Sequence, residues 1–575
     1  MSGALAIDRP QRWDQPFDPE MSDADVERML SLKAFQAIDA TAFPKGQSLR
    51  DIIKYDARIR RFQRGDIVVR SGDYGSSVFV IIQGRVGVVL EDLQIDGLGR
   101  PTERFRRSFF EALGQLWNNA RMPEVRDVAA YQGGAALSIR GDSTAARIFI
   151  KDIEALRRAH DVSEMVEGQI FGEIAALSRT PRTATVFAEE DLELLELRWQ
   201  GLRDIRRHER RFREHIDGLY RERNWAKDLA ESPLFGHLDK SVLDTIAAGA
   251  LFETHGEFEW WKSFKKVAGQ ESEEVIKVEP VIAEQGAYLD GLIIIRSGFG
   301  RISERLDHGE RTIGYASTND HFGLEEIIGH WREGTALHLR RSLRAIGHVD
   351  VLRVPTALVE EHVLPRLPSE LLPQPPTQPQ TQKGGAAAAW EELGDDALEQ
   401  SLIDFFVDKR TINGTATMLI DTDRCVGCDD CVRACASTHD NNPRFVRHGP
   451  SHGNLQVTNA CMHCVDPVCL IGCPTGAIAR NFVDGRIMID DRTCIGCGTC
   501  ANSCPYDNIQ LVEIRDRRGA FIVDSESNQP IVKATKCDLC YGQLGGPACV
   551  RACPHDALIR IDMRDQAKLA AWVSR

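Results

Sequence analysis

Sixteen cysteines, all lying between Cys425 and Cys553, are the residues whose type and spacing carry the clearest chemistry in this sequence. They form four groups: Cys425-x2-Cys428-x2-Cys431-x3-Cys435, Cys461-x2-Cys464-x4-Cys469-x3-Cys473, Cys494-x2-Cys497-x2-Cys500-x3-Cys504 and Cys537-x2-Cys540-x8-Cys549-x3-Cys553. Thiolates are soft ligands, and an iron–sulfur cube needs one at each of its four iron corners. A Cys-x2-Cys-x2-Cys loop is short enough to wrap one side of a cube, while the fourth cysteine, three residues on, points away towards another. Pro474, Pro505 and Pro554 follow the fourth cysteine of the last three groups and fix φ where the chain turns from ligand to helix; Ala436 stands there in the first. Zinc would ask for isolated Cys-x2-Cys pairs with a partner pair about 15–20 residues later, which these gaps do not suit. Sixteen ligands at four per cluster give four [4Fe–4S] clusters with no thiol left over. His439, His448, His452 and His463 lie nearby; with the thiols already balanced, they are expected to be surface or cluster-tuning residues instead of ligands.

A second chemical stretch is FGEIAALSRTPRTATVFA, residues 171–188. A glycine at a helix start, here Gly172, frees backbone N–H groups to face an anion, and the helix N-terminus carries partial positive charge. Arg182 can grip a phosphate through a bidentate fork, and Glu173 is an acceptor suited to a ribose hydroxyl.

The elements that must position these residues are legible in outline. From Arg58 the run RIRRFQRGDIVVRSGDYGSSVFVIIQGRVGVV alternates short β-branched stretches with Gly65, Gly72, Gly75 and Gly84, the punctuation of a small β-barrel or jelly roll. EPVIAEQGAYLDGLIIIRSGFGRIS repeats it, with Gly286 and Gly298 spaced as Gly72 and Gly84 are, so an internal duplication is expected. In the second copy Phe322-Gly323 is retained, Leu324 replaces the acid, and counting forward puts Arg341-Ser342 in the place of Arg182-Thr183. The expected organisation is a poorly ordered N-terminus over 1–22, a first β-domain over 23–230 with an insertion at about 92–165, and a second over 231–363. A Pro/Gln-rich linker follows over 364–389, and the cysteine domain occupies 390–575. Between the copies, LRDIRRHERRFREHIDGLYRERNWAKDLAES reads as one long charged helix.

A length of 575 residues exceeds one hydrophobic core, and the net charge of −14 argues against a nucleic-acid binder. No apolar run approaches the roughly 18 residues that span a bilayer. The N-terminus MSGALAIDRPQRWDQPFDPE has neither an apolar signal core nor twin arginines, so a cytoplasmic location is expected. No Rossmann fingerprint, P-loop or acid/base constellation is present. Substrate chemistry is therefore expected in a partner: a molybdopterin oxidoreductase, a hydrogenase or a flavoprotein.

The stretch Phe171-Gly172-Glu173 with Pro181-Arg182-Thr183-Ala184 resembles the phosphate-binding cassette of cyclic nucleotide-binding domains. The resemblance implies that Arg182 holds the cyclic phosphate and Glu173 the ribose 2′-hydroxyl, with Thr183 placed to contact the purine of cAMP or cGMP. The cysteine region resembles, over about 416–565, the four-cluster electron-transfer subunits of the dimethyl sulfoxide reductase and formate-dependent nitrite reductase type, carried by Cys461-Met-His-Cys464 and the widened fourth group. In that family groups one and four exchange fourth ligands, as do two and three. Carried over, the sets are Cys425, Cys428, Cys431 with Cys553; Cys537, Cys540, Cys549 with Cys435; Cys461, Cys464, Cys469 with Cys504; and Cys494, Cys497, Cys500 with Cys473. The fold class this implies is multidomain α+β, two cyclic nucleotide-binding-like β-domains followed by a double bacterial-ferredoxin-like domain. The expected function is an electron-transfer subunit under cyclic-nucleotide control. Two alternatives stand beside it: a redox- or oxygen-sensing signalling protein, and an electron carrier whose β-domains only dock the partner.

Overall fold

The computed structural model describes residues 5–90, 122–126, 150, 152–178, 181–222, 229, 232, 234–257, 259–268, 270, 272–306, 309–367, 400–481, 484–541, 543 and 545–575. Most of the expected insertion and the linker from residue 368 onward lie outside these. Two compact units are present, residues 1–217 with 411–564 and residues 218–410 with 565–575.

In the first unit, the strands Ala57–Phe62, Leu192–Leu197, Val78–Gln83 and Ile170–Phe171 form one antiparallel sheet. Ile67–Val69, Thr185–Ala188, Val86–Val89 and Val162–Met165 form a second. Alternation along the strands turns Phe62, Phe79, Ile81, Leu192 and Leu194 of one sheet onto Val86, Val186 and Ala188 of the other. The expectation of a barrel is therefore corrected to a sandwich: among the described residues the two sheets face each other without closing. Gly84 turns the chain between two strands at φ +93°, where a Cβ would stand 2.6 Å from the Asp191 carbonyl oxygen.

Residues 5–22, expected to be poorly ordered, are instead tied down. Leu5–Ile7 pairs in parallel with Ile522–Asp524, and Ile7 packs on the core of Ile514, Ile522 and Ile531. Arg12 lies between Asp56, at 2.9 Å, and Asp204, and Trp13 stacks on Tyr55 at 5.1 Å between ring centroids. The long charged helix is two helices, Trp199–His208 and Arg210–Glu222. The break falls at Glu209, whose backbone is extended and whose carboxylate caps the Phe212 N–H at 2.6 Å.

The cysteine domain joins this same unit and touches the sandwich directly. Beside the N-terminal strand pairing, Glu124 forms an ion pair with Arg444 at 2.9 Å, and Arg203 donates to the Ile471 carbonyl at 2.9 Å.

In the second unit, the sheets Leu251–His255, Val349–Pro355, Gly291–Ser297, His321–Phe322 and Val281–Ala283, Ser342–Ala345, Gly300–Leu306, Gly309–Ala316 repeat the strand order of the first sandwich. The hydrogen-bond ladder corrects the counting made on the sequence. Gly72 N–H bonds the Arg182 carbonyl at 2.8 Å, and Gly286 N–H bonds that of Leu339 at 2.7 Å. Leu339, not Arg341, occupies the arginine's place. With Leu324 in place of the acid, both charged groups have become buried leucines of the second core.

The helix Gln400–Asp408 and Arg410 belong to this second unit, not to the cysteine domain. Glu279 accepts from Arg301 at 2.9 Å and from Arg410 at 3.2 Å, Arg301 also reaches Asp408 at 2.8 Å, and Tyr315 donates to Asp404 at 2.6 Å. Arg301 is 1 % exposed and Glu279 3 %. Removing one charge from a buried network leaves its partners uncompensated. Glu279→Gln is expected to destabilise this unit by about 3 kcal/mol, read as an earlier first transition in urea unfolding.

Candidate metal centres and anion cavity

Each cysteine group is a loop running into a short helix: Asp430–Thr438, Val468–Ile471, Thr499–Ser503 and Ala548–Arg551. The residue before the second cysteine of every group is left-handed: Gly427 at φ +73°, His463 at +51°, Gly496 at +68° and Leu539 at +56°. That reversal curls each Cys-x2-Cys loop, and at His463 and Leu539 a side chain tolerates a conformation that favours glycine.

Strand pairing then decides which groups meet. Thr417–Asp421, which leads into the first group, pairs antiparallel with Leu558–Ile561, which follows the fourth, with Ile420 opposite Leu558. Cys553 consequently lines one small cavity with Cys425, Cys428 and Cys431. Cys435 faces Cys537, Cys540 and Cys549. The hairpin Ile478–Arg480 with Ile487–Ile489 joins the second group to the third. Cys473 lines a cavity with Cys494, Cys497 and Cys500, and Cys504 stands by Cys461, Cys464 and Cys469. The structure thus brings all sixteen thiols into four quartets, each crossed between two groups, with His439 and Asp538 also within 4.8 Å of the Cys540 sulfur, and none is in a disulfide. A donor set of four thiols around an apolar space fits an iron–sulfur cube.

Burial pushes the Cys435 and Cys500 thiols up to about 12 and Cys540 up to about 11, and neighbouring thiols add to it. Cys464 and Cys469 are likewise raised well above the ordinary thiol value by the same causes. Backbone N–H groups point at sulfur from Arg444 to Cys435 (3.2 Å), Ala548 to Cys540 (3.3 Å) and Ala557 to Cys553 (3.3 Å). Such donors stabilise added negative charge at the sulfurs.

Sequence spacing missed two cations between the quartets, the half-buried Arg560 and the buried Lys536. Arg560 donates to Cys537 Sγ at 3.2 Å and to the Cys461 carbonyl at 3.2 Å, and Lys536 donates to the Cys537 carbonyl at 3.0 Å. Neither has a motif; only its place between quartets marks it. Of the histidines, His463 is buried and accepts the Ile487 N–H on Nδ1 at 3.0 Å, and burial, with Lys536 and Arg560 nearby, holds it neutral. His439 lies 3.6 Å from Cys435 Sγ through Nδ1, while its Nε2 meets Asp538 at 2.8 Å. His448 and His452 lie on the segment around the Ser451–His452 strand.

The expected anion site sits at one end of the first sandwich. Arg182 is buried and donates from Nη1 to the Gly172 carbonyl at 2.8 Å and from Nη2 to that of Ser77 at 2.9 Å. A Cβ on Gly75 or Gly172 would come within 2.6 Å of its guanidinium, so both glycines make room for it. Burial pulls its pKa down to about 10, against Glu196, Glu173 and Asp73, and it remains cationic at neutral pH. Arg182 opens onto a cavity of about 220 Å³ that Glu173 and Thr183 do not line. Glu173 is 1 % exposed at the start of the six-residue helix Glu173–Ser178, and Thr183 is half-buried. The cavity wall holds residues the motif did not announce: Arg58, Arg60, Arg70, Arg198 and Arg480, with Tyr74 and Glu196. Their one sequence signal is that Arg58 and Arg60 share a strand face with the core residue Phe62.

Residues 147–209 match the family described as a cyclic nucleotide-binding domain, and residues 454–520 and 493–557 match two families each described as a 4Fe-4S dicluster domain. The electron transport protein HydN of Escherichia coli (strain K12) is 33% identical over 169 residues, 27% of this chain and 92% of that protein. Formate hydrogenlyase subunit 2 of the same organism is 30% identical over 184 residues, 27% of this chain and 85% of that protein. The regulatory domain of Toxoplasma gondii PKA with cAMP is similar at 13% identity over 60% of this chain and 94% of that one, at a TM-score of 0.19 that carries no argument. Among the described residues no helix is long and apolar enough to cross a membrane.

Proposed function

Because the chain belongs to the family of iron–sulfur electron-transport proteins that includes HydN, we propose that it carries four [4Fe–4S] clusters and relays electrons to or from a partner oxidoreductase in the cytoplasm, under cyclic-nucleotide control. The observation that carries this reading is the crossing of the cysteine groups into four thiol quartets. Within it, Cys425, Cys428, Cys431 and Cys553 hold one cluster, Cys537, Cys540, Cys549 and Cys435 the second, Cys461, Cys464, Cys469 and Cys504 the third, and Cys494, Cys497, Cys500 and Cys473 the fourth. When bound, the clusters supply one-electron transfer. The chain's own residues hold the thiolates in place, exclude water, and bring Arg560, Lys536 and the N–H donors against the sulfurs. A molybdopterin enzyme, a hydrogenase or a flavoprotein fits as partner, and the likeness to a formate hydrogenlyase subunit supports an oxidoreductase partner. Anaerobic iron analysis tests the count: about sixteen atoms per chain are expected, and about four would sink it.

The nucleotide half of the proposal rests on Gly172, Glu173, Arg182 and Thr183. Titration calorimetry with cAMP and cGMP is expected to give binding by the wild type that Arg182→Ala weakens about 100-fold, the loss that follows from removing a buried phosphate partner. Heat from neither protein would leave the sandwiches as docking modules.

A further inference from the structure

The cavity beside Arg182 is not enclosed by the sandwich alone. Part of its wall is Leu470 with the stretch Gly476 to Arg480 of the cysteine domain, directly after Cys473. Six arginines face it against two acids, Asp73 and Glu196. Arg58 and Arg60 are paired with Glu196, at 2.6 and 3.5 Å, and Arg198 with Asp56, at 2.5 Å. Arg182, by contrast, is held by neutral carbonyl oxygens, so its charge is available to an anion.

Arg480 connects this wall to a metal centre. Its guanidinium lies over the Tyr74 ring at 4.7 Å. The same group donates from Nη2 to the carbonyls of Cys464 at 3.0 Å and Val465 at 2.7 Å. Gly485, whose carbonyl takes Nη1 at 3.3 Å, packs so closely on Tyr74 that a Cβ would stand 2.7 Å from the ring. On the opposite side, Arg203 and Trp199 bond the Ile471 carbonyl at 2.9 and 3.4 Å, and Arg203 reaches that of Cys473 at 3.5 Å. Tyr74 of the sandwich and the helix Trp199–His208 that follows it therefore hold Arg480 and the segment from Ile471 to Cys473.

We infer that the cavity is a composite anion site, completed by the cysteine domain, in which Arg480 makes phosphate occupancy and the redox state of the centre on Cys461, Cys464, Cys469 and Cys504 depend on each other. The inference rests on the reading that the Arg182 cavity takes a cyclic nucleotide. An anion there draws Arg480 towards itself, away from the carbonyls of the Cys464 loop, and so takes positive charge from beside the centre. That loss opposes the arrival of an electron. The oxidised protein then binds the nucleotide more tightly, and by linkage the nucleotide lowers the reduction potential by the same factor.

The test uses the full, iron-loaded chain, with cAMP and cGMP as probes, oxidised and after dithionite reduction under anaerobic conditions. The expected result is about tenfold tighter binding to the oxidised protein, matched in an EPR-monitored titration by a fall of about 59 mV in one centre, the one-electron equivalent of tenfold. Arg480→Gln is expected to keep its iron, bind nucleotide more weakly and lose the shift. Equal affinity in both redox states, or a shift that survives Arg480→Gln, overturns the inference while leaving nucleotide binding intact. Absence of binding in either state removes the nucleotide reading itself, and this inference with it. The wild-type comparison needs no variant, so it decides even if Arg480→Gln fails to load iron.

Discussion

Cys435→Ser is expected to cost the protein the cluster on the fourth cysteine group, not the one on the group that contains the mutated residue. Cys435 sits on the helix Asp430–Thr438 of the first group, yet its neighbours are Cys537, Cys540 and Cys549. The remaining thiols of the first group share their cavity with Cys553. Removing one of four ligands from a buried site leaves three thiols around an open iron corner, and iron content should fall by about four atoms per chain. The complementary change, Cys553→Ser, should remove a different centre, so the EPR spectra of the two reduced variants should each lack a different signal. If Cys435→Ser instead erased the signal that Cys428→Ser erases, and not the one that Cys540→Ser erases, the crossing would be wrong and each group would hold its own cluster. Arg444, whose N–H reaches Cys435 Sγ and whose side chain pairs with Glu124, should keep its environment in Cys553→Ser and lose part of it in Cys435→Ser.

The cysteine grouping was readable in advance because ligand geometry is imposed locally: three thiols must wrap one face, so their gaps are short and fixed. The strands of the sandwiches were readable for a similar reason, since alternation is a local demand of a two-faced sheet. What joins them was not. Arg203 is recognised by the carbonyls of Ile471 and Cys473, and a carbonyl acceptor leaves no trace in residue type. The first β-domain and the cysteine domain meet by direct contact, through Leu5–Ile7, Glu124 and the helix Trp199–His208, between segments hundreds of residues apart. Counting also failed where a loop changed length. The second sandwich has a longer stretch between Phe322 and its next strand, and the bonds from Gly286 to Leu339, Leu339 to Ala287 and Leu289 to Leu337 fix the register there. Two leucines at once in place of Glu173 and Arg182 make physical sense: a lone arginine without its anion would be a buried charge with no partner, whereas leucines simply extend the core.

Iron-free protein is expected to lose stability steeply between about pH 8 and 11, while the loaded protein does not. The cause lies in the buried thiols. Cys435 and Cys500 are pushed up to about 12 and Cys540 to about 11 from an ordinary value of 9.0, first by burial and then by their neighbours. A group whose pKa is raised on folding contributes stability that is complete below the unfolded value and is lost as pH climbs towards the folded one. At pH 10 the unfolded chain has largely shed these protons and the folded chain has not. Each thiol then withdraws about 1.4 kcal/mol, or about 4 kcal/mol for the three together. With iron bound the thiols are already thiolates in the folded state, which removes this dependence and predicts that loading at neutral pH expels protons and weakens in acid. Urea unfolding of stripped and loaded protein, anaerobically at pH 7.5 and 10, reads the difference. A stripped protein equally stable at both values would mean that the thiols are more solvated than their burial indicates, and the quartets would then be looser than an apolar pocket built for a cube.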